Sequence, residues 1–259
     1  MATVYRAYDP KIDRTLAIKA LREEHCADEE YRARFLREAN AAGVLSHPNI
    51  VTVYDVGEAD KTPYIAMELL EGTPLDEAMK NDEPMELAQV LNIGIQLAEA
   101  LDYAHNNGIV HRDIKPSNII LCQDGRTVKI TDFGIAHLTS GNITHQTQMG
   151  EVLGTPQYMS PEQVLGKPVD ARSDLFSVGV ILYQLITGQK PFKGDTIATL
   201  LFQIATENPE AISKYRTDVP NDLRQTIDRL LKKQPDKRIQ SGTVVEQKVQ
   251  LDCALGASE

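Results

Sequence analysis

The chain changes texture near residue 70, and that change restricts the folds open to it. Before it lie four short β-type runs, Thr3–Tyr8, Thr15–Leu21, Ile50–Val56 and Tyr64–Leu70. They are separated by turn formers such as Asp9-Pro10, Gly57 and Thr62-Pro63. One helix interrupts them, Asp28 to Leu45, opened by acids and carrying Glu30–Arg34 and Arg34–Glu38 at i,i+4. Beyond residue 70 helical patterns take over, at 86–107, 172–188, 195–206, 219–232 and 243–252. Two strand candidates, Asn118–Leu121 and Thr127–Thr131, flank an Asp124-Gly125 turn among them. The expectation is an α+β, two-lobed chain: a small β-rich lobe over 1–70, a larger helical lobe over 71–259, and function in the cleft between.

Composition narrows the partners. Thirty-seven acids against 27 bases leave a formal charge of −10, so the chain lacks the broad positive field that holds nucleic acid or anionic lipid. The three cysteines, Cys26, Cys122 and Cys253, are far apart and show no metal-type spacing; free thiols in a reducing compartment are expected. The most apolar stretch, Leu175–Ile186, contains Ser177 and Gln184 and is too short to cross about 30 Å of hydrocarbon. Its apolar residues run all round, which suits a helix buried in a core. With no leader at the start, a cytoplasmic chain without a membrane segment is expected, while a longer parent with an anchor is left open.

Three constellations carry chemistry. His111-Arg-Asp-Ile-Lys-Pro-Ser-Asn118 follows a helix that ends near Gly108 and precedes a strand. Packing does not call for two cations, a carboxylate and an amide in one short loop. Asp113 there can take a proton from a hydroxyl while Lys115 steadies a transferring anion, and Asn118 can face a metal ion. Asp132-Phe-Gly134 ends the next strand candidate and places a second carboxylate, one suited to a metal ion, on a hinged loop. Lys19 sits inside an apolar strand, and Glu38 lies within the helical stripe of Tyr31, Phe35 and Ala42. Each buried charge argues for the other.

Together these motifs resemble the catalytic set of a eukaryotic-type (Hanks-type) protein kinase, in order and spacing along almost the whole chain. Ser160-Pro-Glu162 resembles the APE motif with Ser for Ala, Asp174 the buried acid bracing the catalytic loop, and Arg238 the partner of Glu162. Gly154–Gln163 is most similar to the bacterial serine/threonine branch. The resemblance implies the bilobal kinase fold and a site that uses ATP and Mg2+. Lys19, set by Glu38, would meet the α- and β-phosphates; Asp113 would receive the substrate proton; Lys115 would neutralise the γ-phosphate; Asn118 and Asp132 would hold magnesium. Val4, Ala17 and Ile120 would sandwich the adenine, with Met67 behind it and Glu68 to Leu70 as hinge. Lys115 and Thr155 imply Ser/Thr hydroxyls of proteins as acceptors. Arg112 implies regulation by a phosphate on the segment after Gly134, with autophosphorylation expected at Thr147 or Thr144, ahead of Thr139 and Ser140. A counteracting phosphatase is implied as a partner.

The resemblance is incomplete at one end. The family's Gly-x-Gly-x-x-Gly-x-Val loop is missing: Val4 would be its last residue and Ala2 stands where the third glycine belongs. The first β-run is then expected at an exposed sheet edge, and Met1 is expected to be either internal to a longer protein or the start of a short form. Two other readings stay open, a pseudokinase-like binding module and a small-molecule kinase of the aminoglycoside or choline type. Arg112, Gly154-Thr155, Glu162 and Arg238 favour a protein substrate over the latter.

Overall fold

The computed structural model describes residues 2–133 and 156–248. Four strands, β1 (Ala2–Asp9), β2 (Arg14–Leu21), β3 (Val53–Ala59) and β4 (Thr62–Met67), form an antiparallel sheet in the order β1-β2-β4-β3. Strand β1 is therefore an edge, as expected, and Val4 on it is 57% exposed. Asp9 closes its end by accepting the Lys11 N–H at 2.9 Å. The β3–β4 turn departs from the sequence expectation. Asp60 and Lys61 make it, both at positive φ (48° and 66°), as a two-residue hairpin turn requires. Gly57 instead lies within β3, where the Tyr64 side chain crosses it and a Cβ would stand 2.5 Å from the hydroxyl. Pro63 is tolerated in β4 because the β2–β4 ladder stops at the Ala20–Tyr64 pair.

Helices α1 (Glu23–Cys26) and α2 (Glu29–Gly43) follow β2. Asp28 caps α2, accepting the N–H groups of Glu30 and Tyr31 at 2.9 and 3.3 Å. Phe35 and Ala39 of α2 pack with Leu21 and Ile65 into a small core beneath the sheet. Arg34 bonds Glu30 at 2.9 Å; the expected Arg34–Glu38 pair gives way to one between Glu38 and Lys19.

The rest is mainly helical: α3 (Leu75–Ala78), α4 (Leu87–Asn106), α5 (Pro161–Val164), α6 (Ala171–Thr187), α7 (Ile197–Thr206), α8 (Asn221–Leu230) and α9 (242–248). A second, small antiparallel sheet joins β5 (Gly72–Pro74), β6 (Ile119–Cys122) and β7 (Val128–Ile130). Helix α6 is buried from Ser173 to Thr187, which accounts for its all-round apolar sequence. It ends at Gly188 with φ 66°, where a Cβ would strike the Asp82 carbonyl at 2.1 Å. Burial pushes the Lys233 ammonium down to about 7; it caps the last turn of α7 at the Ile204 carbonyl, 2.8 Å away, 3.7 Å from the Phe192 ring centroid. The segment before β3 joins the small sheet, where Val51 N–H reaches the Ile130 carbonyl at 2.9 Å and Ile130 N–H the Asn49 carbonyl at 2.8 Å. No helix among the described residues is long and apolar enough to cross a membrane.

Candidate active site

The loop between α4 and β6 carries the densest chemistry, and buried side chains below it fix its shape. Gly108, at φ 74°, turns the chain out of α4. Asp174, near the start of α6 and 1% exposed, then accepts the backbone N–H groups of His111 and Arg112 at 2.9 and 2.8 Å. His105 Nε2 lies 2.8 Å from the same carboxylate. These bonds hold Arg112 at φ 68°, a left-handed conformation that costs a non-glycine residue about 1–2 kcal/mol.

His111, fully buried, ties this loop to the next. Its Nε2 stands 3.0 Å from the Thr131 carbonyl, which can only accept, so Nε2 carries the proton and Nδ1 is free to accept the Asp113 N–H at 3.2 Å. Its ring packs at 4.6 Å on Phe133. Thr131 N–H meets the Asn118 carbonyl at 2.9 Å. Asp132, following β7, has φ 54°, and its side chain is 46% exposed.

The side chains converge in two groups of three. Lys115 Nζ lies 2.7 Å from Asp113 Oδ2, and the Asn118 amide donates to the Asp113 carbonyl at 2.9 Å and to Oδ2 at 3.3 Å. Across the cleft, Lys19 Nζ bridges Glu38 Oε1 at 2.6 Å and Asp132 Oδ1 at 2.9 Å. Burial alone would pull the Lys19 ammonium down, but the charges of Asp132 and Glu38 outweigh it and leave its pKa raised. Burial pushes the Glu38 carboxyl up despite Lys19, with Asp132 and Asp113 adding to the rise. Three elements far apart in sequence, β2, α2 and the end of β7, thus meet on one ammonium.

A separate buried ion pair joins α5 to the C-terminal segment. Glu162 on α5 meets Arg238 through two bonds of 2.6 Å. Burial would raise the Glu162 carboxyl, but hydrogen bonds from Arg238 and Ser173 hold it below its ordinary value. Of the adenine-side candidates, Val4 pairs with Lys19 and Ala17 with Met67 in the four-stranded sheet, while Ile120 lies on β6 of the other. Glu68 is pinned by Lys129 at 2.9 Å, with Leu70 two residues on.

The model of the protein kinase domain matches residues 1–249. The chain belongs to the protein kinase family. Among its relatives are the serine/threonine-protein kinase PksC of Streptomyces coelicolor, 43% identical over 249 residues, and PknB of Mycobacterium leprae, 40% identical over 245. Each alignment covers 93% of this chain but only 45% and 39% of the relative, so the chain spans less than half the length of these kinases. The crystal structure of the PknI kinase domain of Mycobacterium tuberculosis superposes with a TM-score of 0.73 at 29% identity, over 97% of this chain and 91% of that one. The kinase fold and the bacterial serine/threonine branch of the family are thereby those expected.

Asn118 and Asp132 offer one neutral and one anionic oxygen donor. Among the described residues no cluster of three or more His, Cys, Asp or Glu forms a metal cage. Such a sparse donor set suits Mg2+, which keeps waters and substrate phosphates in its shell. Cys26 and Cys122 are free thiols. Thr144, Thr147, Thr155, Thr139, Ser140 and Cys253 lie outside the described residues. Sequence reasoning missed His105, Lys129, Ser173 and Gln163. Lys129 carries a weak signal, a cation between Val128 and Ile130; Ser173 bonds the already singled-out Glu162, but nothing in the sequence marks that pairing, nor those of His105 and Gln163.

Proposed function

We propose that this chain is the catalytic domain of a protein serine/threonine kinase that moves the γ-phosphoryl group of ATP to hydroxyls of protein substrates. The observation that supports this most is the double engagement of Lys19 by Glu38 and Asp132, opposite the Asp113–Lys115 pair. Residues 1–70 and 71–259 act as the two lobes around that cleft. Lys19 orients the α- and β-phosphates, and Glu38 fixes its direction. Asp113 orients the acceptor hydroxyl and receives its proton, while Lys115 offsets charge on the phosphoryl oxygens in flight. Bound magnesium supplies charge neutralisation across the phosphates, and Asn118 and Asp132 are the residues that would hold it. Val4, Ala17, Ile120 and Met67 enclose the adenine, with backbone groups of Glu68 to Leu70 at its edge.

Glu162, Arg238 and Asp174 form the rigid base of the peptide platform, and Thr155 serves the choice of Ser/Thr acceptors. Arg112 receives a phosphate on Thr144 or Thr147 as the regulatory event, which a phosphatase reverses. The domain works in the cytoplasm. Phosphorylation of a randomised peptide pool, followed by phospho-amino-acid analysis, tests the acceptor class. Phosphoserine and phosphothreonine are expected; phosphotyrosine as the main product contradicts it. Phosphopeptide mapping of the active chain is expected to find Thr144 or Thr147 modified, and modification of none of the hydroxyls between residues 139 and 147 contradicts the regulatory assignment.

A further inference from the structure

Arg112 is held at positive φ from one side by Asp174, but its carbonyl also has a partner. Gln163 Nε2, from α5, donates to Arg112 O at 2.7 Å. The other end of the same amide accepts the Ser160 N–H at 2.9 Å, closing a capping box in which Ser160 Oγ accepts the Gln163 N–H. Both outer partners have a fixed sense, a backbone donor and a backbone acceptor, so the orientation of the amide is unambiguous. Gln163 follows Glu162, which Arg238 locks in place. One side chain therefore joins the base of α5 to the peptide unit that leads into Asp113.

We propose that Gln163 is a positioning residue for phosphoryl transfer: its carboxamide holds the Arg112–Asp113 peptide by its carbonyl while the Asp174 carboxylate holds the peptide before it, and together they set the direction of the Asp113 side chain. This rests on Asp113 being the group that engages the acceptor hydroxyl. Asp174 takes the N–H of Arg112 and Gln163 takes its C=O, so the left-handed residue is gripped on both sides. The ATP-facing groups, Lys19 and Asp132, share no hydrogen bond with Gln163. Loss of the clamp thus acts on turnover and leaves nucleotide affinity alone.

Gln163→Glu is the sharpest test, because it keeps the oxygen that serves Ser160 and replaces the donor that faces Arg112 with a second acceptor. Gln163→Met repeats the loss without a charge, and Ser160→Ala weakens the capping box while leaving the amide. Both Gln163 variants are expected to lower kcat on a peptide substrate about tenfold, less than the roughly 10²-fold that a full 1 Å misplacement of a reacting group can cost. KM for ATP stays within twofold, and amide exchange over residues 109–118 accelerates about tenfold. Ser160→Ala stays within threefold of wild type in kcat. Wild-type kcat and exchange in the Gln163 variants overturn the proposal, as does an equal loss in Ser160→Ala, which would leave Gln163 as a helix cap only. If the wild-type chain transfers no phosphate, the functional reading fails separately, and exchange alone decides the clamp.

Discussion

Asp113→Asn is expected to lower kcat by roughly 10²–10⁴-fold, the range of a lost general base, with KM for ATP nearly unchanged. The substitution is nearly isosteric, so the fold survives, but the amide cannot take the acceptor's proton. It also sets an NH2 or a neutral oxygen where Lys115 Nζ now meets a carboxylate oxygen at 2.7 Å, so the ammonium loses its tether. Lys19, Glu38 and Asp132 are untouched, which is why nucleotide binding should hold. Steady-state kinetics, with nucleotide-binding stoichiometry to count intact sites, measures this. A variant within tenfold of wild type would remove Asp113 from the chemistry.

Arg238→Ala is expected to cost about 3–5 kcal/mol of stability, the usual penalty for stranding a buried charge. All five guanidinium N–H groups are used: two reach Glu162 at 2.6 Å, and the others reach the carbonyls of Lys232, Arg172 and Lys233 at 2.7, 3.0 and 3.1 Å. At 2% exposure no water replaces them. Urea unfolding reads the loss. The pH dependence has a definite sign: because the folded Glu162 carboxyl lies below its unfolded value of about 4.3, the pair stabilises above that pH and its contribution fades as pH falls through the folded pKa. The gap between wild type and Arg238→Ala should therefore be full at pH 7 and narrow towards pH 3. A gap that is flat with pH would mean the charge on Glu162 is not what Arg238 serves.

What the sequence made legible was charge in the wrong place. Lys19 in an apolar strand and Glu38 on an apolar helix face announced each other, and their 2.6 Å contact follows. The all-round apolar run at 175–186 announced the buried α6 for the same reason. Elements whose cause is local backbone geometry were harder to see. The Asp60-Lys61 turn lacks the glycine that marks such turns, and Gly57 and Pro63 drew attention to positions that lie inside strands. Strand β3 begins at Val53, three residues after the start of the expected run at Ile50, because Asn49 and Val51 bond to Ile130 instead. The positive φ values of Arg112 and Asp132, and the Gln163 amide that grips a carbonyl, leave no trace in residue type, since a backbone acceptor looks the same everywhere. Strand β5, only three residues long, forms because β6 offers it a partner at Gly72–Pro74.

The central property to establish is transfer of phosphate by this cleft. Intact-mass spectrometry of the purified chain after incubation with ATP and magnesium, beside Asp113→Asn, measures that directly. Mass gains in steps of one phosphate, absent from the variant, are the predicted result. A folded wild-type chain that gains no mass and modifies no peptide would contradict it and favour a domain that binds partners without phosphotransfer.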